Sequence, residues 1–412
     1  MISPEQASEI EAELLRLVRL QPGRSRVELA RLAGMSPSTT GDYIEKLLAR
    51  GFLLEGERHM LTPRGRPATQ LQLAPEAGFI IGLDAAYHYA RAVALGFDGE
   101  VLAEKSVWLD LGTPFEDFLR VALDVARTCA ARGRGQLLGI GISHAPPGDW
   151  ARKTPHIQHW DDERAAVFFK REMGVRPSIA FSHHAIGTAE LWFGAGREIG
   201  SFLSLEVRGT VGAELVIDGR MLTNRHPDAG QIGTWLLPDD LLPPALLKAA
   251  PAPLTVNQLA SVPGLLGLCT QLLPNFPDSE LVLENGELPF RTLVHGYSHG
   301  DKLSVAALAG AAAAMGWCAA RITDLAAPER IIISHPFNSL GEGFIRQVQD
   351  TLLAQASLRQ KPFPQVTASG LADYDGAIGA AAVALHHWRP QRQKATRAGS
   401  AKTSAKKKNP RP

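Results

Sequence analysis

The chain opens with an apolar pattern of helical period. One face carries apolar side chains at spacings of four, seven and eight residues, at Ile10, Leu14, Leu17 and Val18. This periodicity predicts a first helix over residues 5–20, because positions at that spacing lie on one side of a helix. Pro22 and Gly23 follow, and both residue types end helices.

Two shorter helices are predicted next. Ser25 can cap the second helix, and its apolar pattern ends at Gly34. Ser36 and Pro37 open the third, since serine is a favoured cap and proline is favoured at the first helical position. Two helices joined by a short turn that contains glycine form a helix-turn-helix.

The third helix is predicted to be a recognition helix. Its apolar residues Ile44, Leu47 and Leu48 form an inner face, so the residues near its start should face outward, where such helices contact base edges. Gly41 is unexpected inside a helix, because it costs roughly 1 kcal/mol relative to alanine. The candidate DNA contacts on this helix are Ser38, Thr39, Asp42, Tyr43 and Lys46.

A wing is predicted after the third helix. Short apolar runs at 52–54 and 71–73 indicate two strands, with a loop rich in arginine, glycine and proline between them. Arg58, Arg64 and Arg66 are the candidate contacts there, because guanidinium groups on such a loop suit the narrow minor groove. A three-helix module for protein docking remains the alternative interpretation of residues 1–77.

From Gly78 the pattern becomes that of an α/β protein. Apolar runs at 79–83, 89–95 and 101–109 are separated by tight turns and predict three consecutive strands. Further strands and helices extend to residue 388 and predict a two-lobed body. We expect the first lobe to contain about 78–195 and 366–388, and the second about 196–365.

Several segments of this body resemble the ROK family, which includes repressors and sugar kinases with an actin-like, sugar-kinase-like fold. The resemblance runs from residue 8 to about 388. It is carried by Ile81-Gly82-Leu83-Asp84, by the run from Ala189 to Gly196, by the run from Val211 to Arg220, by Ala229-Gly230-Gln231-Ile232-Gly233 and by the run from Asp375 to Ala381. Arg64-Gly65-Arg66-Pro67 is similar to the wing of the family's repressor branch.

Compared with the family's kinases, this chain departs at each phosphate-binding element. Asp84 is followed by Ala85 and Ala86 instead of the Gly-Gly-Thr turn, and the second phosphate loop reads Arg208-Gly209-Thr210 instead of Gly-Thr-Gly. Ser182 stands at the position of the catalytic aspartate, and a serine hydroxyl without an adjacent base is a poor proton acceptor. A shift of one residue would place His183 there instead, and histidine could act as a base. We therefore expect no kinase activity.

The sugar-binding and zinc-binding elements of the family have also changed. Its Gly-Glu-Ile-Gly-His motif reads Gly230-Gln231-Ile232-Gly233-Thr234, and the cysteine-rich zinc motif that follows in the family is missing. No cofactor or metal is expected, although scattered histidines leave open a metal site of another kind. By alignment with the family's site, the residues expected to line a ligand-binding cleft are Asp84, His144, Ser182, His183, Gln231 and Thr234.

The resemblance implies a transcriptional regulator, expected to be a repressor and a homodimer or larger homo-oligomer, that binds a double-stranded DNA operator. Three hypotheses for the body remain open at this point. It could bind a small effector, a sugar by family default, and so change DNA affinity. It could only dimerise or dock a protein partner. It could be an active sugar kinase, which would need a glycine-lined nucleotide site that the sequence lacks.

Charge is distributed unevenly along the chain. The net charge is +1, yet residues 389–412 contain nine Lys or Arg and no acid. This composition predicts a tail that does not fold by itself, and it is compatible with either phosphate binding or a solvated role. Three distant cysteines and no signal-peptide pattern indicate a cytoplasmic protein without disulfides. The uncharged stretch 303–320 is rich in alanine, which favours a buried helix over a membrane span.

Overall fold

The computed structural model describes residues 3–390 except 60–67, 87, 111, 147–153, 223–227, 244–245, 247–252, 285, 358–361 and 372. The predicted wing loop and the basic tail beyond residue 390 therefore lie outside the described residues.

The N-terminal unit consists of three helices followed by an antiparallel hairpin. Its elements are α1 (Pro4–Leu20), α2 (Arg26–Leu32), α3 (Pro37–Ala49), β1 (Leu53–His59) and β2 (Ala68–Leu73). This is the order of a winged helix-turn-helix, and each predicted helix and strand of the unit is present.

The predicted helix caps are confirmed. Ser25 accepts a hydrogen bond from the Glu28 N–H, and the Glu28 side chain accepts one from the Ser25 N–H, so the two residues form a capping box. Ser36 accepts from the Thr39 N–H at 3.1 Å, and Pro37 is the first helical residue. These caps fix where α2 and α3 begin.

The body contains two five-stranded sheets with the same strand order. In each sheet the first three strands in sequence are antiparallel neighbours, and the last two add in parallel on the other side. The first sheet contains β3 (Phe79–Ala85), β4 (Tyr89–Gly96), β5 (Val101–Trp108), β6 (Leu137–His144) and β7 (Ser178–Phe181). The second contains β8 (Phe202–Val207), β9 (Val211–Ile217), β10 (Arg220–Met221), β11 (Arg330–Ile333) and β12 (Gln365–Ala368).

Helices cover both sheets. They are α4 (Phe115–Ala130), α5 (Pro155–Gln158), α6 (Asp162–Met173), α7 (Ser182–Trp192), α8 (Val256–Ala260), α9 (Val262–Leu272), α10 (Phe290–His299), α11 (Lys302–Ala326), α12 (Glu342–Gln355) and α13 (Asp375–His387). The expected lobe boundary at residue 366 is wrong, because β12 pairs with β11 in the second sheet. The rest of the segment 366–388, which forms α13, does pack on the first lobe, against β3 and β6.

Two glycines allow α13 to lie close to the first sheet. A Cβ atom at Gly82 would lie 1.9 Å from the Ala377 carbonyl oxygen, and one at Gly141 would lie 1.8 Å from the Ala380 carbonyl oxygen. Neither position can hold a larger residue without displacing the helix. The strands β3 and β6 therefore hold α13 at a fixed height over the sheet.

The uncharged stretch forms most of α11. It is the one helix among the described residues that is long and apolar enough to cross a membrane. Most of this apolar segment is buried, and Leu303, Leu308, Met315 and Cys318 pack in the core of the second lobe. This burial agrees with the predicted core helix. All three cysteines of the chain are buried and unpaired.

The N-terminal unit and the first lobe share one continuous core. Leu14 and Leu17 of α1 belong to the same buried cluster as Phe97, Trp192 and Leu385 of the body. Residues at such an interface cannot separate without exposing apolar surface, which costs about 25 cal/mol per Å². The N-terminal unit is thus packed on the body and not only joined to it through the chain.

Candidate functional site

The outer face of α3 carries most of the predicted contact residues. Ser38, Asp42 and Lys46 are exposed, and Thr39 is half-buried with its hydroxyl 2.8 Å from that of Ser36. Gly41 is helical, and a Cβ atom at that position would meet no atom within 4 Å. Neither internal packing nor backbone conformation therefore requires glycine there.

The prediction that Tyr43 faces outward is wrong. Its side chain is only 5% exposed and packs in the core, and Lys46 Nζ lies 4.6 Å from its ring centroid. Tyr43 precedes Leu47 by one helical turn, so the same periodicity that placed Leu47 inside also places Tyr43 inside. The prediction placed Tyr43 on the polar face because tyrosine carries a hydroxyl group.

The wing residues stay predictions. Arg58 lies in β1, but its side chain is outside the described part of the structure, as are Arg64 and Arg66 altogether. The described strands pair from Leu53 opposite Leu73 to His59 opposite Ala68.

A second candidate site lies between the two lobes, around Asp84 at the end of β3. Its Oδ1 accepts a hydrogen bond of 2.7 Å from the Ser143 hydroxyl, and its Oδ2 accepts one of 2.8 Å from Arg208 Nη1. Ser143 lies on the neighbouring strand β6, whereas Arg208 follows β8 of the other lobe. Asp84 is thus paired across the cleft, and its expected role in ligand binding stays a prediction.

Arg208 is the centre of this cluster. Its Nη2 donates to Asp375 at the start of α13, and its Nε lies 4.0 Å from a carboxylate oxygen of Glu206. The side chains of Asp84, Glu206 and Asp375 are all at least 98% buried. We call the group formed by Asp84, Ser143, Glu206, Arg208 and Asp375 the interlobe ion cluster.

The cluster holds three carboxyl groups against one guanidinium, and burial raises the pKa values of two of the carboxyl groups, Glu206 and Asp375. Burial raises the pKa of Glu206 to about 7, against the opposing effects of Arg208 and the Ser182 hydroxyl. Burial likewise raises the pKa of Asp375 to about 6, although Arg208 counteracts it. The pKa of Arg208 is raised well above its ordinary value because the attraction of Asp375, Tyr89, Asp84 and Glu206 outweighs burial.

His144 ends β6 inside an aromatic cage. Its ring stacks on Trp160 at 4.5 Å between centroids and meets Phe181 edge-on at 5.1 Å. Its Nε2 lies 3.3 Å from Asp162, and the hydrogen bond to His144 is the main reason that the pKa of Asp162 is lowered. The side chain of His144 is almost fully buried, and that it lines a ligand-binding cleft stays a prediction.

Ser182 and His183 begin α7, and both are buried. The His183 ring fits against Gly212 and Gly230 of the opposite side, and its Nε2 lies 2.9 Å from the Ala229 carbonyl oxygen. Burial, followed by the neighbouring His184, lowers the pKa of His183 to about 3. A neutral ring held in this way packs the two sides of the cleft together and is unsuited to serve as a general base near pH 7.

The remaining two candidates lie farther along the chain. Gln231 is half-buried and donates to Asp228 at 2.9 Å, and Thr234 is exposed at the end of a short 3₁₀ helix, Ile232–Thr234. The structure thus links His144, Phe181, His183 and Gly230 in one row, but it leaves Thr234 on the surface. That Gln231 and Thr234 bind a ligand stays a prediction.

Four residues of the interlobe ion cluster were not predicted as site residues: Ser143, Glu206, Arg208 and Asp375. The replacement of glycine by Arg208 in the second phosphate loop was visible in the sequence, but it indicated only a lost nucleotide site. Among the residues that the structure describes, no group of His, Cys, Asp or Glu side chains could hold a metal ion.

The comparisons of this chain with known proteins agree on one protein family. The sequence profile of the ROK family matches residues 80–387. A xylose repressor of Caldicellulosiruptor bescii is 22% identical over 372 residues, which cover 88% of this chain and 91% of that protein. The identity is low, but the match covers more of the chain than the family profile does.

Two solved structures have the same fold. A ROK family transcriptional regulator, a homologue of the Escherichia coli Mlc protein, superposes with a TM-score of 0.70 at 18% identity and covers 92% of this chain and 96% of that one. A ROK family glucokinase from Streptomyces griseus, solved with glucose and AMPPNP, has a TM-score of 0.62 at 18% identity and covers 74% of this chain and 99% of its own.

Proposed function

This chain belongs to the ROK family, and we propose that it is a DNA-binding transcriptional repressor whose kinase-like body senses a small polar ligand without phosphorylating it. The protein would act in the cytoplasm as a homo-oligomer on a double-stranded operator. The winged helix-turn-helix would read the operator, and the cleft between the lobes would take the effector. The name of the xylose repressor makes sugars the first effectors to examine.

The position and partners of Arg208 are the observation that best supports this proposal. It stands where the second phosphate loop of family kinases has glycine, and its guanidinium binds Asp84, the residue that survives from the first phosphate element. A phosphate group placed there would have to displace a buried arginine from three carboxyl groups. The position is therefore filled by the protein itself, which supports binding without catalysis.

A route from the cleft to the DNA-binding unit also supports the proposal. The helix α13 begins at Asp375, which Arg208 binds, and the chain reaches Trp388 directly after the last helical residue. The Trp388 ring lies 5.3 Å from the ring of Phe52, which connects α3 with β1. A ligand that changes the angle between the lobes would move the start of this helix, and its end contacts the winged helix.

DNA binding is tested by fluorescence polarisation with the promoter DNA that flanks the gene of this protein, beside a random duplex of equal length. We expect preference for the promoter, and loss of that preference in an Arg64→Ala, Arg66→Ala double variant. Equal binding of the wild type to both duplexes would contradict the proposal. Added xylose or glucose should shift promoter affinity, and neither sugar should support ATP turnover by the purified protein.

Gly41→Ala gives a sharper test of the recognition helix. Alanine fits the open space at this position, so the variant should be more stable by up to about 1 kcal/mol. If α3 lies close to DNA, the added methyl group should nevertheless weaken promoter binding. Thermal unfolding and polarisation on the same preparation measure the two effects. A more stable variant with unchanged affinity would show that Gly41 is not at the DNA interface.

A further inference from the structure

A shallow groove lies where α1 of the N-terminal unit meets the end of α13, and we call it the junction groove. Among the residues that line it are Arg16, Arg19, Trp192, Leu385, Trp388 and Arg389. Arg19 is only 6% exposed, yet it forms no ion pair with any described residue. Its Nη2 donates to the Phe97 carbonyl oxygen at 3.2 Å, and its Nε has no hydrogen-bond partner in the described part of the structure. Because a buried cation without a partner costs free energy, an anion in this groove would be stabilised.

The pKa of Arg19 reflects the missing partner. Burial lowers this pKa to about 9, and the Asp98 carboxylate opposes the effect only in part. Carboxylates in direct contact raise the pKa instead, as they do for Arg208. The Arg19 guanidinium is still charged at neutral pH, so an anion that enters the groove would meet a full positive charge with little solvation.

The other charged residues leave the junction groove positive. Arg16 is bound by Glu13 at 2.7 Å, so these two charges cancel. Arg389 donates to two main-chain carbonyl oxygens, at 2.8 and 3.0 Å, and it forms no ion pair with a described residue. Glu9 is the remaining carboxylate that lines the groove, and it is exposed. Two arginines without a carboxylate partner therefore stand beside one solvated carboxylate.

The imidazole of His386 is affected by the same positive charge. The pKa of His386 is lowered to about 4, first by partial burial and then by His387, Arg389 and Arg16, whereas Glu13 opposes the change. Two of these neighbours are arginines of the junction groove. His386 is itself exposed, so the positive potential extends to the outer edge of the groove, where a ligand would enter.

The walls of the junction groove are aromatic and apolar. The Arg19 Cζ lies 5.3 and 5.0 Å from the ring centroids of Phe97 and Trp192. The Trp388 ring meets Phe97 edge-on at 5.4 Å, and Leu385 also lines the groove. Its volume of about 310 Å³ is at the lower end of the range for small-molecule sites. Such a groove fits a flat apolar ring that carries one acidic group.

Both structural units contribute to the junction groove. Arg19 belongs to α1, whereas Trp192 ends α7 and Trp388 follows α13. A ligand bound here would therefore contact the N-terminal unit and the body together. The site is also distinct from the cleft, because Asp375 of the interlobe ion cluster begins α13 at its other end, roughly 18 Å away along a helix of thirteen residues.

We propose that the junction groove is a second effector site that binds a small aromatic carboxylate, with Arg19 as the countercharge. The carboxylate would offset the charges of Arg19 and Arg389, and the ring would pack among the aromatic side chains. A neutral sugar has no charge to offer Arg19, so the groove and the cleft select different ligands. The effector role rests on the proposed DNA-binding function, since a ligand that contacts both units would stabilise their present arrangement.

Isothermal titration calorimetry of the full-length protein with 2-naphthoate tests the site. The matched ligand is 2-naphthamide, which has the same ring system and a neutral group. The variants in the groove are Arg19→Met, Arg389→Met and Glu9→Gln. Arg120→Met is the matched control, because it removes the same charge at an exposed position of α4 outside the groove. Urea unfolding verifies that each variant is folded.

We expect the wild type to bind 2-naphthoate with a Kd on the order of 0.1–1 mM and the amide at least about tenfold more weakly. Arg19→Met should also bind at least about tenfold more weakly, because the carboxylate loses its charged partner. Arg389→Met should lose about two- to threefold and Glu9→Gln should gain about twofold, since both groups are exposed. Arg120→Met should bind like the wild type.

Fluorescence polarisation on the promoter duplex tests the effector role. Saturating 2-naphthoate should change the promoter affinity of the wild type by about fivefold or more. The same concentration should leave the promoter affinity of Arg19→Met unchanged, and this variant thereby also controls for the added salt.

Several results would overturn the proposal. If the wild type does not bind 2-naphthoate, or binds it no better than Arg19→Met or no better than it binds the amide, the groove does not recognise an anion through Arg19. Should Arg19→Met not fold, the opposite shifts of Arg389→Met and Glu9→Gln decide instead. Unchanged promoter affinity at saturation would contradict the effector role. If the wild type does not prefer the promoter, the proposed repressor function fails, while calorimetry still decides whether the groove binds an aromatic anion.

Discussion

Arg208 and Arg19 have little exposed surface, lie at opposite ends of the path from the cleft to the winged helix, and are held by opposite means. Arg208 in the interlobe ion cluster is bound by carboxyl groups. Arg19 of α1, at the junction with the body, lies 5.3 and 5.0 Å from the ring centroids of Phe97 and Trp192, and it donates to the Phe97 carbonyl oxygen at 3.2 Å.

The pKa values record this difference. Burial lowers the pKa of Arg19 to about 9, so the guanidinium still carries its charge at pH 7 but is held with little electrostatic help. The pKa of Arg208 moves in the opposite direction, because Asp375, Asp84 and Glu206 surround it. Arg19 behaves as a packed, amphipathic side chain, whereas Arg208 is required to balance buried negative charge.

This difference between the two arginines indicates that the junction and the cleft have different roles. The junction is a close-packed apolar contact between α1 and the first lobe. The cleft is bridged by ion pairs between lobes, and ion pairs can be exchanged for a polar ligand without opening an apolar core. The helix α13 joins the two regions. Three experiments test how far this contrast holds.

The largest effect is expected from Arg208→Met. The substitution keeps much of the side-chain volume but strands buried carboxylates, so the free energy of unfolding should fall by about 3–5 kcal/mol. Urea unfolding at pH 7.5 measures it. Adding Asp84→Asn and Asp375→Asn should restore a large part of the loss. A single variant within about 1 kcal/mol of the wild type would show that Arg208 does not balance the cluster.

A smaller loss in the free energy of unfolding is expected when the pH is raised. The pKa values of Asp375 and Glu206 are raised to about 6 and about 7 in the folded protein, so the folded state holds protons that the unfolded chain has released. Their contribution is fully present below about pH 4 and is lost as pH rises to about 7. At about 1.4 kcal/mol for each unit of pKa, the loss is on the order of 3 kcal/mol per group.

The Asp375→Asn variant isolates the contribution of Asp375 to the pH dependence of the unfolding free energy. The difference in unfolding free energy between variant and wild type should shift in favour of the variant between pH 4 and pH 7. Asp278→Asn, at an exposed carboxylate, is the matched control and should show no such trend. A parallel pH dependence of Asp375→Asn and wild type would contradict the raised pKa.

The smallest effect is expected from Arg19→Met. Methionine can replace the apolar stem between Phe97 and Trp192, and no carboxylate is left unpaired, so the loss should stay within about 1 kcal/mol. Arg19→Ala should cost more, roughly 2 kcal/mol or above, because it leaves a cavity. Urea unfolding compares them. If methionine were as damaging as it is at position 208, the charge of Arg19 would matter more than its packing.

Much of the N-terminal unit could be predicted because its signals are local. Ser25, Ser36 and Pro37 mark helix starts through contacts within three residues, and all three were placed correctly. The error at Tyr43 came from weighing chemical type above periodicity. The boundary of the second lobe failed at β12 for a different reason, since a four-residue apolar run does not reveal which sheet it will join.

The cleft was harder to predict because its contacts are distant in sequence. Asp84 and Ser182 were identified from the family pattern, and both lie at the interlobe ion cluster or against it. The role of Arg208 was not foreseen, since its hydrogen-bond partners Asp84 and Asp375 lie 124 and 167 residues away. Sequence spacing says nothing about which charges meet when the lobes come together.

By itself, the sequence determined the helices and their caps, the two-lobed α/β order, the loss of glycine from the phosphate loops and the concentration of positive charge after residue 388. These features depend on periodicity, local hydrogen bonds and residue type. Only the tertiary structure decided that Arg208 pairs with carboxyl groups between the lobes, that Arg19 is held by aromatic faces and that Trp388 packs against Phe52. Such contacts arise when whole lobes pack, and burial then decides which charges must be paired.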